Sequence, residues 1–228
     1  MVLKKLIQKS FRLFGREIKQ SHTFILDKRQ MKTFSNMKYQ FDRVSLASIS
    51  GNIVECGIGR GRTFLYLSHL AEEEGLNREV WGFDSFEGFP EPSVEDTSPR
   101  NPKKGEWNYM SVNDMWKILK NAGISSEWSK KNVKIIPGFF EDSLKAYSEA
   151  PIALLHLDVD LYDSYMTTLN EFYKYVVKDG IILFDEYSDE YNDLNWPGAK
   201  KAIDEFFSDK PETPQKNEES GKYFVVKQ

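Results

Sequence analysis

The feature that most constrains the fold is an alternation of short apolar runs with segments of helical length. The runs are rich in Val, Ile and Phe, which is typical of buried strands. They are "NIVEC" (52–56), "EVWGFD" (79–84), "VKIIP" (133–137), "IALLHL" (152–157), "GIILFD" (180–185) and "KYFVVK" (222–227). Strands that alternate with helices form βαβ units, and these place helices on both faces of the sheet. The sequence therefore predicts an α/β fold with a mainly parallel sheet.

The segments between these runs are predicted to be helices or loops. We predict helices over 28–48, 63–74, 165–177 and 198–207, and another that starts at a capping box formed by Ser111 and Asp114. Residues 90–107 and 208–221 have no periodic pattern. The first is a candidate lid, because long loops in compact domains are often lids or binding loops. The second is expected to lead into a final strand that returns antiparallel at the sheet edge.

The first 50 residues differ in pattern from the rest. Basic and apolar side chains alternate over residues 3–19, as in a basic amphipathic helix. Such a helix packs on its own domain, on a partner or, as a weaker alternative, on an anionic membrane surface. We therefore divide the chain into an N-terminal helical segment, 1–50, and one α/β domain, 51–228.

Composition and charge exclude several classes of protein. The 228 residues are 40% apolar, enough for one sizeable core, and the single cysteine, Cys56, excludes an intrachain disulfide. A net charge of -4 without a dominant basic stripe argues against a nucleic-acid partner. No apolar run has the length of a membrane span or the pattern of a signal peptide, so a cytoplasmic location is expected. A small molecule is the expected ligand, and the oligomeric state stays open, with a homo-oligomer as one option.

Ligands of open parallel sheets bind beyond the carboxyl ends of the strands. The first strand leads into "VECGIGRG", whose glycines allow a tight turn at a helix N-terminus. The second strand ends at Asp84, which can accept hydrogen bonds from ribose hydroxyls, and Gly138 and Phe139 follow the third and can frame a planar base. The glycine spacing departs from the G-x-G-x-x-G of NAD sites. S-adenosylmethionine fits these features, and a strand-to-helix corner without a ligand is the alternative.

Acidic residues follow two further strands. Asp158 and Asp160 come after the fourth run, and Asp185 and Glu186 after the fifth. Like charges at a sparsely solvated strand end repel and raise one another's pKa unless a cation lies between them. Oxygen ligands suit Mg²⁺ or another hard divalent cation. We predict Asp158, Asp185 and Glu186 as metal ligands and Asp160, on the same side of the strand as Asp158, as a second catalytic carboxylate. The alternative is a solvated surface with helix caps.

Five blocks carry a family resemblance: "VECGIGRG", "GFDSFEGFP", "PGFFEDSL", "LDVDLYDS" and "DGIILFDEY". In this order, from about residue 51 to 207, they resemble the macrocin O-methyltransferase (TylF/MycF-like) family of class I S-adenosylmethionine-dependent methyltransferases. The resemblance implies a Rossmann-like, seven-stranded sheet with an antiparallel edge strand. It also implies methyl transfer, assisted by Mg²⁺ or another divalent cation, to a sugar hydroxyl of a glycosylated natural product or surface polysaccharide precursor.

The strand-end positions and the resemblance together give a set of cofactor-binding residues. The set is Glu55, Gly57, Arg60, Gly61, Asp84, Ser85, Gly138 and Phe139. Within the first block the chain has Gly59 where the family commonly has an aromatic residue, and Arg62 where it commonly has glycine. The resemblance favours Asp158 as both metal ligand and general base. His156 is the runner-up base, with a buried structural role as its alternative.

The chemistry expected of this site starts from the weak acidity of a sugar hydroxyl. Cation coordination and a carboxylate are expected to share its deprotonation. Trp107, Tyr109 and Trp196 are candidates to stack on an acceptor ring or, alternatively, to anchor the neighbouring loop. Two competing functions remain, an NAD-dependent oxidoreductase and a non-catalytic small-molecule-binding module.

Overall fold

A computed structural model describes residues 27–187 and 190–228; the predicted helix over 3–19 lies outside the described residues. The described helices are α1 (Lys28–Leu46), α2 (Arg62–Glu74), α3 (Val112–Asn121), α4 (Ser126–Asn132), α5 (Phe140–Ser143), α6 (Tyr162–Phe172), α7 (Glu190–Asn195) and α8 (Pro197–Phe207). The strands are β1 (Asn52–Cys56), β2 (Val80–Asp84), β3 (Val133–Pro137), β4 (Ile152–Leu157), β5 (Val176–Phe184), β6 (Gln215–Lys216) and β7 (Tyr223–Val226). Single 3₁₀ turns lie at Val94–Asp96, Leu144–Ala146 and Tyr173–Tyr175.

The strands form one seven-stranded sheet in the order β3-β2-β1-β4-β5-β7-β6. The first five strands pair in parallel, and β7 is antiparallel to both β5 and β6. This confirms the predicted α/β architecture. The outermost strand is the two-residue β6, within the segment 208–221 that was predicted to have no structure. It forms because the chain turns back at 217–222, where the Asn217 N–H donates to the Lys222 carbonyl at 2.8 Å.

The sheet is buried on both faces. Residues of β1 to β5 and β7 point into two hydrophobic clusters, one on each face, and α6 and α8 cover one while α1, α2 and α3 cover the other. Met37, Phe41 and Val44 of α1 belong to the second cluster, so this helix is packed onto the sheet. The boundary placed at residue 50 stays a prediction. Among the described residues, no helix is both long and apolar enough to cross a membrane.

The helix predicted over 165–177 was wrong at both ends. It begins at Tyr162 because the Asp96 carboxylate, 66 positions away, accepts a hydrogen bond at 2.8 Å from the Tyr162 backbone N–H. It ends at Phe172, and β5 already starts at Val176, which pairs with Ile152 of β4. The strand predicted at 180–185 is therefore longer at its start, where Val176 pairs with β4 and an irregular stretch separates this pair from the next one, Ile181 with Leu154.

Candidate active site

A cavity of about 330 Å³ lies at the carboxyl ends of the parallel strands. Many of the predicted site residues form its wall: Gly57, Arg60, Asp84, Ser85, Gly138, Phe139, Asp158, Asp160 and Asp185. The predicted residues Glu55, Gly61 and Glu186 are buried behind the wall. The start of α1 also contributes Gln30, Thr33 and Phe34. Sequence reasoning missed this contribution, since the pattern of an amphipathic helix does not reveal which element it covers.

The glycines in the turn after β1 differ in the space that surrounds them. Gly57 has φ +85°, and a Cβ there would lie 1.8 Å from the Asp158 carbonyl oxygen. Gly61 has φ +75°, and its Cβ would meet Met115 Sδ at 2.5 Å. A Cβ on Gly59, at φ +53°, would meet no heavy atom of the described chain within 4 Å. Gly57 therefore allows β1 and β4 to end in close contact, whereas Gly59 leaves open space.

The Asp84 carboxylate is held by two backbone N–H groups. Its Oδ2 accepts from Gly59 at 2.9 Å and its Oδ1 from Phe86 at 2.7 Å. Each oxygen keeps a second lone pair, so the group can still accept hydrogen bonds from both hydroxyls of a ribose. The Gly138 N–H donates to the Asp84 carbonyl at 2.9 Å, which places Phe139 beside this carboxylate on the cavity wall. The arrangement fits an adenosine-containing cofactor.

Three carboxyl groups converge at the ends of β4 and β5. Among the described residues, Asp158, Asp160 and Glu186 each offer an oxygen within 4.8 Å of the others. Asp160 adopts φ +60°, and its backbone N–H donates to Glu186 Oε2 at 3.3 Å. Oxygen atoms at this spacing suit a hard divalent cation.

The charges of this cluster perturb one another. Burial and then the Asp185 carboxylate raise the pKa of Asp158 to about 6. Burial, followed by Asp160 and Asp158, raises the pKa of Glu186 well above its ordinary value. Asp158 and Glu186 are also joined by a side-chain hydrogen bond, which lowers the pKa of Asp158 and raises that of Glu186. These opposite effects on the two pKa values favour Glu186 as the protonated partner.

The predicted ligand Asp185 is engaged by a buried lysine. Lys222 Nζ lies 2.6 Å from Asp185 Oδ1 and 2.9 Å from the Asp185 carbonyl oxygen. Thr33 Oγ1 donates to the same Oδ1 at 3.4 Å. Part of the positive charge that the acidic strand ends require thus comes from the chain itself. Metal coordination by Asp185 stays a prediction.

Tyr165 contacts the carboxylate cluster through its hydroxyl group. Its hydroxyl lies 2.8 Å from Glu186 Oε2 and 3.1 Å from the Leu157 carbonyl oxygen. The side chain is fully buried, and burial followed by the Glu186 charge raises its pKa well above the ordinary value. Sequence reasoning assigned no role to Tyr165, and its only signal was a polar tip on the buried face of α6.

Glu55 and His156 form a buried pair behind the cavity wall. They are register partners on β1 and β4, and His156 Nδ1 lies 2.8 Å from Glu55 Oε1. Burial raises the pKa of Glu55 more than the histidine lowers it. Burial opposes the charge of His156, but the hydrogen bond and charge of Glu55 outweigh it, and the pKa of His156 is raised. This geometry favours the structural alternative for His156, and cofactor contact by Glu55 stays a prediction.

Residues 90–107, predicted as a long loop without a periodic pattern, form an ordered loop with one 3₁₀ turn at Val94–Asp96. The base of this loop is closed by two hydrogen bonds of 2.9 Å, from the Phe89 N–H to the Glu106 carbonyl and from the Gly105 N–H to the Phe89 carbonyl. Asp96 forms a capping box with Ser93. The loop is folded because these polar groups satisfy its backbone. Its movement as a lid stays a prediction.

Comparison with known proteins identifies the family to which the sequence is similar. The family described as Macrocin-O-methyltransferase (TylF) matches residues 3–214. The chain is 27% identical, over 78% of its length and 67% of the relative, to the 8-demethyl-8-(2,3-dimethoxy-alpha-L-rhamnosyl)-tetracenomycin-C 4'-O-methyltransferase of Streptomyces olivaceus. It is 26% identical to the demethyldecarbamoylnovobiocin O-methyltransferase of Streptomyces niveus, over 82% of the chain and 68% of that relative.

Two solved structures share the fold. The O-methyltransferase NovP superposes with a TM-score of 0.74 at 22% identity, over 96% of this chain and 88% of that one. The calicheamicin methyltransferase CalS11 gives a TM-score of 0.73 at 20% identity, over 98% and 85%. Since the family model matches residues 3–214, a range that contains β1 to β5 and the ends of these strands, the chain belongs to the macrocin O-methyltransferase (TylF) family and is an S-adenosylmethionine-dependent O-methyltransferase with the class I methyltransferase fold.

Proposed function

We propose that the protein transfers a methyl group to a hydroxyl of a sugar in a glycosylated natural product or surface polysaccharide precursor, with a divalent cation bound beside the acceptor. The convergence of Asp158, Asp160 and Glu186 next to the cavity is the observation that supports this most directly. The relatives support the acceptor class, because one is named for a rhamnosyl tetracenomycin and another for a mycinamicin.

The residues at the ends of β1 and β2 are proposed to hold S-adenosylmethionine, which supplies a methyl group activated by its positive sulfur. Asp84 is oriented by two backbone donors and retains lone pairs for ribose hydroxyls. Phe139 lines the same wall and offers an apolar surface to the base. Gly59 leaves space into which a cofactor can extend. Arg60, Ser85 and Gly138 complete this proposed wall.

The donor set of the carboxylate cluster fits Mg²⁺ or a similar cation. Its ligands would be oxygens of Asp158 and Glu186, with Asp160 and Asp185 as the remaining candidates. A bound cation would supply Lewis acidity that lowers the pKa of a nearby hydroxyl. It would also replace the proton that Asp158 and Glu186 share, because both carboxylates could then be charged together.

The chain itself is proposed to take the proton and to align the reacting groups. With a pKa of about 6, Asp158 is mainly ionised near neutral pH. Since it lines the cavity, it can accept a proton from the hydroxyl of a sugar bound there. Asp160, on the same wall, is the alternative base or the group that orients the hydroxyl. The deprotonated oxygen forms a bond to the methyl carbon as the carbon–sulfur bond breaks, which leaves S-adenosylhomocysteine. Correct alignment can contribute about 7–11 kcal/mol to such a step.

The methyl transfer is tested by incubating the protein with labelled S-adenosylmethionine, Mg²⁺ and a panel of deoxysugar glycosides and nucleotide sugars. We expect label in a sugar product, and Asp158→Asn is expected to lower the rate by at least about a hundredfold. Thr33→Ser, which keeps the hydroxyl beside Asp185, is the matched control. Tight NAD binding without affinity for S-adenosylhomocysteine would contradict the proposal and support an oxidoreductase. S-adenosylhomocysteine binding without any turnover would support a binding module.

The cation site has an independent test in calorimetry. Because Asp158 and Glu186 share a proton in the cation-free protein, Mg²⁺ binding at neutral pH is expected to release about one proton. Titrations in buffers of different ionisation enthalpy measure this number, and Glu186→Gln is expected to abolish the release. Binding without proton release, or methyl transfer unaffected by EDTA, would contradict the cation proposal.

A further inference from the structure

We propose that Trp107 and Tyr109 form a stacking surface for a planar, aromatic part of the acceptor, so that the preferred substrate is a sugar attached to an aromatic aglycone. The inference rests on the proposed function, since it names the acceptor class of the same site. Both side chains lie on the cavity wall. Trp107 is 40% exposed and Tyr109 42% exposed, although large aromatic side chains are usually buried.

The Trp107 and Tyr109 rings lie next to each other with nearly parallel planes. Their planes differ by 23° and their centroids are 6.2 Å apart. At this separation the rings are offset from each other and do not cover one another completely. Exposed parts of both rings therefore remain for a planar aromatic group to stack on.

Other side chains support the rings. The Arg60 guanidinium lies over the Tyr109 ring at 4.1 Å from its centroid. Trp107 packs against Phe89 and Trp196, with centroids at 5.0 and 5.3 Å. Both residues therefore have protein contacts through their rings, although about two fifths of each residue is exposed. A Trp that only anchored the loop would not need this exposed part.

The backbone holds Trp107 in a strained conformation. Its φ is +65°, which a bulky side chain rarely adopts and which costs about 1–3 kcal/mol. The preceding residue, Glu106, is fixed by an ion pair with Arg100 at 2.6 Å and by the hydrogen bond from the Phe89 N–H at 2.9 Å. The Arg100 guanidinium also lies 4.8 Å from the centroids of the Trp107 and Trp196 rings. Strain maintained by this many contacts is typical of a ligand-binding position.

The mixed charge of the cavity wall agrees with an uncharged aromatic acceptor. The cavity wall carries the carboxylates of Glu106 and Glu141 as well as the guanidinium groups of Arg60 and Arg62. Such mixed charge gives no preference for a strongly anionic acceptor such as a nucleoside diphosphate sugar. Stacking on exposed aromatic rings, by contrast, selects for planarity and does not depend on charge.

The experiment compares two glycosides of one sugar, 4-nitrophenyl and methyl α-L-rhamnopyranoside, since one relative is named for a rhamnosyl substrate. Binding to the full chain with S-adenosylhomocysteine is followed by saturation-transfer NMR. In the wild type, the aryl protons are expected to receive the strongest saturation, and the aryl glycoside to bind about fivefold or more tightly than the methyl glycoside. Tyr109→Ala is expected to bring this ratio close to one, and Tyr109→Phe to keep it.

One control variant tests for general effects of removing an exposed tyrosine, and methyl transfer is measured separately from binding. Tyr39→Ala removes a similarly exposed tyrosine of α1 outside the cavity and is expected to leave the ratio unchanged. A wild-type ratio near one, absence of binding by either glycoside, or an unchanged ratio in Tyr109→Ala would overturn the inference. Aryl-selective binding that depends on Tyr109, together with no methyl transfer to any glycoside, would support the stacking surface and refute the proposed function.

Discussion

Replacement of Gly57 by alanine tests the idea that the end of β1 must touch the backbone of Asp158. The new Cβ would lie 1.8 Å from the Asp158 carbonyl oxygen, far inside contact distance, and neither atom belongs to a flexible side chain. The variant must therefore move one strand end relative to the other. Since Asp158 is the proposed base, this movement acts on stability and on catalysis together.

The size of the effect follows from two contributions. A positive φ costs an alanine about 1–2 kcal/mol, and the clash adds about 1–3 kcal/mol of overpacking. Gly59→Ala is the matched control, because Gly59 has φ +53° in the same turn but open space for its Cβ. Both substitutions lower the conformational entropy of the unfolded chain by the same amount, so this contribution cancels in the comparison. The difference between them, about 2 kcal/mol, therefore isolates the clash and corresponds to about 4–8 °C in Tm for a chain of this size.

Urea and thermal unfolding of both variants measure this difference. Methyl transfer is measured below the transition, where displacement of Asp158 by about 1 Å is expected to lower the rate of Gly57→Ala by about a hundredfold. If the free energies of unfolding of Gly57→Ala and Gly59→Ala agree within about 0.5 kcal/mol, a difference too small for overpacking, the contact with Asp158 does not explain why glycine is needed.

Three further changes test the surroundings of the site. Because the pKa of His156 is raised, its stabilisation is present below its ordinary pKa of 6.5 and is lost as the pH rises through the folded-state value. Glu55→Gln is expected to reduce the fall of the unfolding free energy above pH 6.5. Urea unfolding at a series of pH values measures this, and a pH dependence equal to that of the wild type would contradict it. Tyr165→Phe removes the 2.8 Å hydrogen bond to Glu186 Oε2 and leaves the longer one from the Asp160 N–H at 3.3 Å, so it is expected to cost about 0.5–1.5 kcal/mol of stability; wild-type stability in urea would refute it. Asp96→Ala removes a buried cap and is expected to cost about 1–2 kcal/mol and to speed hydrogen exchange in the loop that it anchors, whereas unchanged exchange would count against that role.

Local sequence pattern was enough to predict most of the sheet. The runs at β1, β3 and β4 were predicted with the bounds that the structure has, because each is a short apolar segment limited by polar or turn-forming residues. The α3 start was also predictable, since Ser111 and Asp114 form the expected capping box. The βαβ rule then placed Asp84 and Asp158 at one edge of the sheet, and both line the same cavity.

Contacts between distant segments could not be predicted in this way. Lys222 reaches Asp185 across 37 positions, and Asp96 caps α6 across 66. The pairing of Glu55 with His156 depends on the β1–β4 register, which local patterns leave undefined.

Sequence by itself thus determined the fold class, the family and the strand ends at which polar residues gather, because hydrophobic periodicity and short motifs are local properties of the chain. Only the tertiary structure decided which carboxylates approach one another and which form hydrogen bonds with Lys222 or His156. The physical reason is that partner choice among buried charged groups depends on register and side-chain direction over a few ångströms, and these are fixed only when the distant segments pack together.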